Sequence, residues 1–465
     1  MSEGDPRDAD PGLVRGLGFL DATALIVGSV MGSGIFFAPS YMARMIATPG
    51  LLLGLWVLGG FLTLAGALAY AEMAAALPRS GGQYVFLSEA FGPLFGFLYG
   101  WTFLLAINTG IVAAVAVAFA KTLGFFVPAV GEASLVLSIG AFRLSSAQVV
   151  ALLVIGSVTW LNVTGLRSGA AVQNVFTIAK VAAVAVLLAV AILTGRGSLD
   201  RLTPVVGVEL GVEGMRLGLF AAIAGAMSKA LFSYDAWNSA TFAAEEVKDP
   251  ERNLPRALIL GALTVTVVYC SAVGVYLYAV PIGEMGNVPE SRVATEATVR
   301  MIGPGGGAFI AVAILVSTFG CVNGLTLSGG RVVYAMGRDS LFFKAVGRVH
   351  PARRTPAHAL ILHGAIAGLL TLTGTYGNLL DLTAFSSLLF NVLAVVALFV
   401  LRRTKPALPR PYRAWGYPVL PALYVLVSSF FLIYIPVANP VYAGLGLGLT
   451  LLGVPAYLFW RRGAA

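Results

Sequence analysis

Four polar side chains stand where the sequence offers them no water. Lys180, Lys229, Asp235 and Asn238 all fall inside runs long and apolar enough to cross a bilayer. A charge at mid-membrane depth costs at least ~2.5–3.5 kcal/mol on insertion scales, so such groups are retained for a site or a pathway. Phe232-Ser233-Tyr234-Asp235-Ala236-Trp237-Asn238 gathers a carboxylate, an amide and two hydroxyls. Lys180, in V-Q-N-V-F-T-I-A-K-V-A-A-V-A, has no acidic residue near it in sequence, so its ammonium must find acceptors or lose its proton. The chemistry on offer is recognition of charge. A membrane-embedded enzyme would need a catalytic constellation, and the chain shows no His/carboxylate cluster, nucleophile elbow or phosphate loop. His350, His358 and His363 lack the i, i+4 spacing and nearby carboxylates of a metal site, so neither metal nor cofactor is expected. Cys270 and Cys321, the only cysteines, lie in apolar segments and read as packing residues, which excludes a disulfide framework and a thiolate cluster.

The elements that must hold these groups are membrane spans. The chain has 465 residues, 58% of them hydrophobic and 11% charged, with a mean hydropathy of +0.88. Soluble domains are about 25% charged, so this is a polytopic membrane protein in its lipid bilayer. Residues 1–16 are short, polar and mostly acidic, without signal-peptide character, so the first span is expected to be retained. Apolar runs of about 20 residues predict twelve spans, near 19–46, 51–77, 91–120, 147–166, 171–194, 217–244, 257–280, 307–336, 358–374, 378–401, 417–435 and 441–460. With both termini cytoplasmic, twenty of the 30 Lys and Arg residues lie inside and eight outside, and Lys180 and Lys229 remain within spans. The net charge of +9 is thus a topology signal, and nucleic-acid binding is unnecessary to explain it.

Between spans, residues 78–84 read as a turn and 85–91 as a short amphipathic stretch at the inner surface. The loop E-E-V-K-D-P-E-R-N-L-P-R, 245–256, reads as solvated and ion-paired, with Pro255 marking a helix start and a latch of the inner gate left open. Residues 402–416 form a basic, proline-rich connector before two nearly uncharged peripheral spans.

Two spans carry their own breakers. In V-G-S-V-M-G-S-G-I-F, Gly28, Gly32 and Gly34 interrupt the first, and glycine costs about 1 kcal/mol in a helix interior. Taken alone, Gly32-Ser33-Gly34 is equally a small-residue packing notch. The polar interruption around Asp235 in the sixth span tips the reading. Breaks five spans apart are what two inverted five-helix repeats produce, covering 17–194 and 217–401, with 417–465 appended. Freed amides favour an anion and freed carbonyls a cation, so paired breaks suit a zwitterion, of which an amino acid is the simplest.

These stretches resemble the amino acid–polyamine–organocation transporter superfamily: G-S-G-I-F, F-S-Y-D-A-W-N-S-A-T-F-A-A-E-E-V-K-D-P-E-R-N-L-P-R-A, and R-P-Y-R-A-W-G-Y-P. The chain is most similar to the L-type branch, over residues 17 to 460. The resemblance implies an all-α protein of twelve transmembrane helices with the LeuT-type inverted repeat, broken helices 1 and 6, and alternating access. It implies that amides around Gly32, Ser33, Gly34 and Ile35 hold the substrate carboxylate. Carbonyls near Val30 and at Phe232, Ser233 and Asp235 would hold its ammonium, Phe232 would close over it, and Asn238 would support the break. It places Lys180 beside the first break and the eighth span, where sodium-coupled relatives bind a cation, with Ser317, Thr318 and Asn323 as candidate neighbours. The ammonium would then replace sodium, bonding to carbonyls near Gly28 or Gly32.

Asp235 is expected to face the substrate side chain or ammonium, the rival being a carboxylate that caps backbone amides. Lys229 is expected to snorkel to the outer interface in preference to lining a vestibule. The L-type pattern in animals puts a cysteine in the loop between spans three and four; residues 121–146 have none, so a disulfide-linked heavy chain is not expected, and the chain reads as a monomer or weak homodimer. The expectation is a sodium-independent amino acid exchanger of the inner cell membrane, for neutral and also cationic substrates. Proton symport and a non-transporting sensor of the same fold stay open.

Overall fold

A computed structural model describes residues 12–139, 142–373, 376–438 and 440–464. Among the described residues, ten helices are long and apolar enough to cross a membrane, and two shorter apolar helices, Leu219–Tyr234 and Ala357–Thr371, lie at the expected sixth and ninth positions.

The first span is two helices, α1 (Phe19–Val30) and α2 (Gly34–Ala43), separated by three non-helical residues. Asp21 starts α1 by accepting the Gly18 amide at 2.8 Å, which satisfies one of the orphan donors of the first turn. Next come α3 (Pro49–Ala76) and α4 (Gln83–Phe91). The third span is α5 (Pro93–Thr102) and α6 (Asn108–Leu123), joined by a π-turn at Phe103–Ile107. The fourth and fifth are α7 (Ser146–Thr164) and α8 (Leu166–Thr194).

In the second half, α9 (Val212–Leu217) precedes the sixth span, which is α10 (Leu219–Tyr234) and the single turn α11 (Ser239–Phe242). Then follow α12 (Pro250–Ala279), α13 (Ile282–Met285), α14 (Val293–Ile302), α15 (Pro304–Arg338), α16 (Ala357–Thr371), α17 (Tyr376–Thr404), α18 (Val419–Ala438) and α19 (Pro440–Ala464). An antiparallel hairpin of β1 (Leu135–Ile139) and β2 (Phe142–Ser145) before α7 departs from the all-helical expectation.

Packing places α1 at the centre, against α8, α12 and α15. Close approach there depends on missing side chains: a Cβ on Gly261 of α12 would lie 2.6 Å from Ile26, and one on Gly324 of α15 would lie 2.3 Å from the Ser29 hydroxyl. Beside the sixth span, Trp56, Tyr234 and Tyr269 form a buried aromatic cluster with centroids 5.1–5.9 Å apart, and the Tyr234 hydroxyl donates to the Trp56 carbonyl at 3.0 Å.

Three readings of the loops are corrected. The helix after the charged loop starts at Pro250, so Pro255 lies inside α12. The loop is not simply solvated, since Glu246 is fully buried against Arg331. Most of α4 is sequestered, its Tyr84, Val85, Phe86 and Leu87 all buried, because it packs against α5 and α17 in preference to the bilayer surface. The connector after α17 folds back on Glu72, which accepts from Arg402 Nε at 2.9 Å and from the Ala414 amide at 2.7 Å.

Candidate functional site

At the first break, Met31 and Gly32 leave helical geometry and α2 restarts at Gly34, so the first-turn amides of α2, with no partner four residues back, present the positive end of its dipole. Val30, Ser33 and Ile35 are buried, as are Gly32 and Gly34. At the sixth-span break, Ala236 adopts φ 68°, a left-handed conformation costing a non-glycine residue roughly 1–2 kcal/mol. Asp235 holds that turn, its Oδ1 accepting the Ala236 amide at 2.8 Å.

The two breaks meet directly. A Cβ on Gly34 would lie 2.3 Å from Ser233 Oγ, so only glycine admits this approach. Tyr269, on α12, sets its hydroxyl between two carbonyls, 2.9 Å from Val30 O and 3.0 Å from Ser233 O. Those carbonyls are among the ones expected to take an ammonium, and here they receive a phenol. Phe232 O accepts the Asp235 amide at 3.2 Å.

Asp235 makes the cap that was the rival reading for it, and its second oxygen is engaged as well. While Oδ1 caps the turn, Oδ2 accepts from Ser387 Oγ at 2.7 Å, and Asn391 and Tyr70 extend the chain of bonds. Asp235, Ser387 and Asn391 also divide two small cavities. One, about 30 Å³, is lined by Phe232, Leu62, Trp237 and Tyr424; the other, about 10 Å³, by Tyr99, Phe103, Asn108 and Asn238. Each is about the size that a water or two needs, so the site is closed around a space far smaller than an amino acid. Asn238 Nδ2 donates to Gln83 Oε1 at 2.9 Å.

Lys180 lies on the opposite side of α1. Its ammonium donates to Gly28 O at 2.9 Å, Met31 O at 2.8 Å and Ser317 O at 3.0 Å, joining α8, the first break and α15. Ser317 Oγ donates to Met31 O at 2.8 Å. Of the other two candidate neighbours, neither is brought to this point. Thr318 Oγ1 donates within its own helix to Ile314 O, and Asn323 pairs with Gln173 and Asn162 further along. Lys229 does not reach the outer interface: it is 7% exposed and buried in α10, because one turn above the break the helix is enclosed by protein.

Several contributors were not singled out from sequence. Gln173 and Thr177 precede Lys180 by seven and three residues, on one helix face, and both donate to Ala24 O. That polar stripe was the available signal. Tyr269, Ser387, Asn391 and Asn108 are polar groups in apolar spans, a signal of the same kind. Among the described residues no group of His, Cys, Asp or Glu is placed to hold a metal, and His363 pairs with Asn108 at 2.6 Å.

Both approaches to the breaks are shut. On the side of the N-terminus, the Gly16 and Leu17 amides donate to Glu246 O at 2.9 Å, and Glu246 takes Arg331 through two bonds of 2.7 and 3.0 Å. On the far side, Arg44 Nε donates to Gly286 O at 2.8 Å and Ser40 Oγ to Met285 O.

The family profile described as amino acid permease matches residues 17–454. The serine/threonine exchanger SteT of Bacillus subtilis is 31% identical over 455 residues, covering 97% of this chain and 98% of its own. The human large neutral amino acids transporter small subunit 2 is 31% identical, over 97% of this chain and 82% of its own. The mouse b(0,+)-type amino acid transporter 1 is 30% identical, over 92% and 83%. These relatives are transporters and exchangers, not enzymes. A membrane chain with polar breaks in its first and sixth spans, matched by the profile over nearly its whole length, belongs to the amino acid permease family.

Proposed function

We propose that this protein is a sodium-independent exchanger of L-amino acids, neutral and also cationic, working by alternating access in the inner cell membrane. The observation that carries the reading is the Lys180 ammonium on the carbonyls of Gly28, Met31 and Ser317: a fixed cation occupies the junction of the first break with α8 and α15. A mobile cation has no need to bind there. The twelve helical segments, with α10 and α16 as the short ones, support a LeuT-type arrangement of repeats 17–194 and 217–401, followed by a connector, 402–416, and 417–465. Both termini are taken as cytoplasmic from the placement of Lys and Arg.

On this reading the substrate carboxylate binds the amides of Ser33, Gly34 and Ile35, and its ammonium displaces the Tyr269 hydroxyl from Val30 O and Ser233 O. Phe232 closes over it, and Asp235 meets the side chain. Exchange then follows from the closed state: either the Glu246–Arg331 side or the Arg44–Gly286 side opens, and an unloaded site is slow to reorient. Substrate on the opposite side therefore accelerates release. SteT is named a serine/threonine exchanger, which agrees with that cycle. Two of the relatives are named by transport type or as a small subunit; with no cysteine in 121–146, this chain is proposed to work without a disulfide-linked heavy chain, as a monomer or weak homodimer.

Counterflow in proteoliposomes tests the proposal. Labelled amino acid uptake is expected to be saturable, accelerated by internal unlabelled substrate, and equal in sodium and choline media. A strict sodium requirement, or no counterflow with any of the twenty amino acids, overturns it; uptake driven by an imposed proton gradient without internal substrate assigns proton symport instead.

A further inference from the structure

An open furrow of about 830 Å³ runs between α7 and α16, away from the breaks. Its walls are single helix faces, repeating every three or four residues from Leu152 to Val163 and from Ile361 to Leu372. Each wall covers eleven residue steps, about 16 Å at 1.5 Å per residue. That is close to half of a ~30 Å hydrocarbon core, the depth of one leaflet.

Three further features give the furrow a polarity. Its floor is notched by glycines: a Cβ on Gly156 would meet nothing within 4 Å, whereas Gly364 and Gly368 lie against Thr159 and Leu152 of the opposite wall. One end carries Arg353, exposed, just before α16 begins, and among the described residues its guanidinium has no ion pair or hydrogen-bond partner. The adjacent Arg354 differs, since its Nε donates to Gly12 O at 2.8 Å. Trp160 is 68% exposed and one turn from the end of α7, and amphipathic rings near span ends favour the headgroup boundary.

We propose that this furrow binds one anionic glycerophospholipid of the inner leaflet, an acyl chain lying on the glycine-notched floor and the phosphate group on Arg353. Length selects a single leaflet. Charge selects an anionic head, because an unpartnered guanidinium at a membrane boundary is a phosphate and carboxylate receptor. A transmembrane helix from another protein is the rival occupant, but its apolar face would leave the Arg353 guanidinium at the end of the furrow without a counter-charge, whereas an anionic head supplies one. The assignment to the inner leaflet rests on the orientation proposed above, whereas the site itself does not depend on the transport reading.

The test is native mass spectrometry of the full chain in detergent, titrated with phosphatidylglycerol or phosphatidylcholine. The parent is expected to bind one phosphatidylglycerol about tenfold more tightly than phosphatidylcholine. Arg353→Gln should erase that preference and Arg353→Lys retain most of it, while Gly156→Leu, placed in open space, should weaken both lipids about tenfold. Thermal unfolding of each variant within about 2 °C of the parent establishes that the fold is intact. Equal binding of the two lipids by the parent overturns the proposal, and so does unchanged phosphatidylglycerol binding in both Arg353→Gln and Gly156→Leu. A single-span protein that copurifies one-to-one and is displaced by Gly156→Leu would also overturn it, assigning the furrow to a helix. Because binding is read without transport, failure of the exchanger reading leaves this result intact.

Discussion

Gly34 and Ser233 touch so closely that a Cβ on the glycine would lie 2.3 Å from the serine hydroxyl and 2.9 Å from the serine Cα. The first and sixth breaks are therefore one continuous surface. Gly34→Ala is expected to push them apart, costing about 1–3 kcal/mol as an overpacked contact and reducing exchange at least tenfold. Ser233→Gly in the same chain should restore part of the rate by removing the obstructing hydroxymethyl. Equal exchange rates in parent and Gly34→Ala would show that the contact is not used.

Tyr269→Phe removes the hydroxyl shared by Val30 O and Ser233 O without changing the ring packing against Trp56 and Tyr234. Val30 O keeps the Gly32 amide at 2.8 Å, so the loss falls on Ser233 O, a penalty of about 1–3 kcal/mol when unrelieved. If a substrate ammonium competes with that hydroxyl, the variant should bind substrate more tightly while cycling more slowly. Measuring KM and maximal exchange separately decides this, and a pure loss of affinity counts against the competition.

Lys180→Ala leaves Gly28 O, Met31 O and Ser317 O without the ammonium that gathers them. Exchange should fall by at least tenfold while the protein still elutes as a single species with a cooperative melt. Normal transport by this variant, or a sodium requirement in the parent, sinks the fixed-cation reading.

Asp235→Gly removes the carboxylate that Ser387 and the Ala236 amide share. Competition of labelled alanine uptake by arginine, alanine and glutamate should lose its discrimination against glutamate. An unchanged order of competitors would leave Asp235 as a turn cap only.

Glu89, at the surface end of α4, accepts from Lys405 of the connector and from Arg79. Partial burial disfavours its charged form, but these two cations outweigh it and hold the carboxyl below its ordinary value. A depressed carboxylate stabilises the fold above its unfolded pKa, near 4.3, and loses that contribution as pH falls through the lower folded value. The link between α4 and the connector should therefore be constant from pH 5 to 8 and release only below about pH 4. Hydrogen exchange of 405–416 reads this, and Glu89→Gln should show the released pattern already at neutral pH.

Much of the protein is legible in its sequence, because a bilayer makes the physics local. Apolar length pointed to the spans, and interruption of apolar runs by Gly32-Ser33-Gly34 and by Asp235 marked the breaks, since uncompensated polarity at depth is too costly to be incidental. Lys180 was conspicuous for the same reason. What the sequence left undecided were the partners. That Tyr269 takes the carbonyls of both breaks, that Ser317 but not Thr318 or Asn323 reaches Lys180, and that Glu246 is buried on Arg331 are facts of helix rotation and approach. A hydropathy pattern fixes which stretch enters the membrane, but a span that is apolar nearly all round has no strong face to set its rotation. Rotation is set by which glycines let neighbouring helices close, and only the packed tertiary structure determines that.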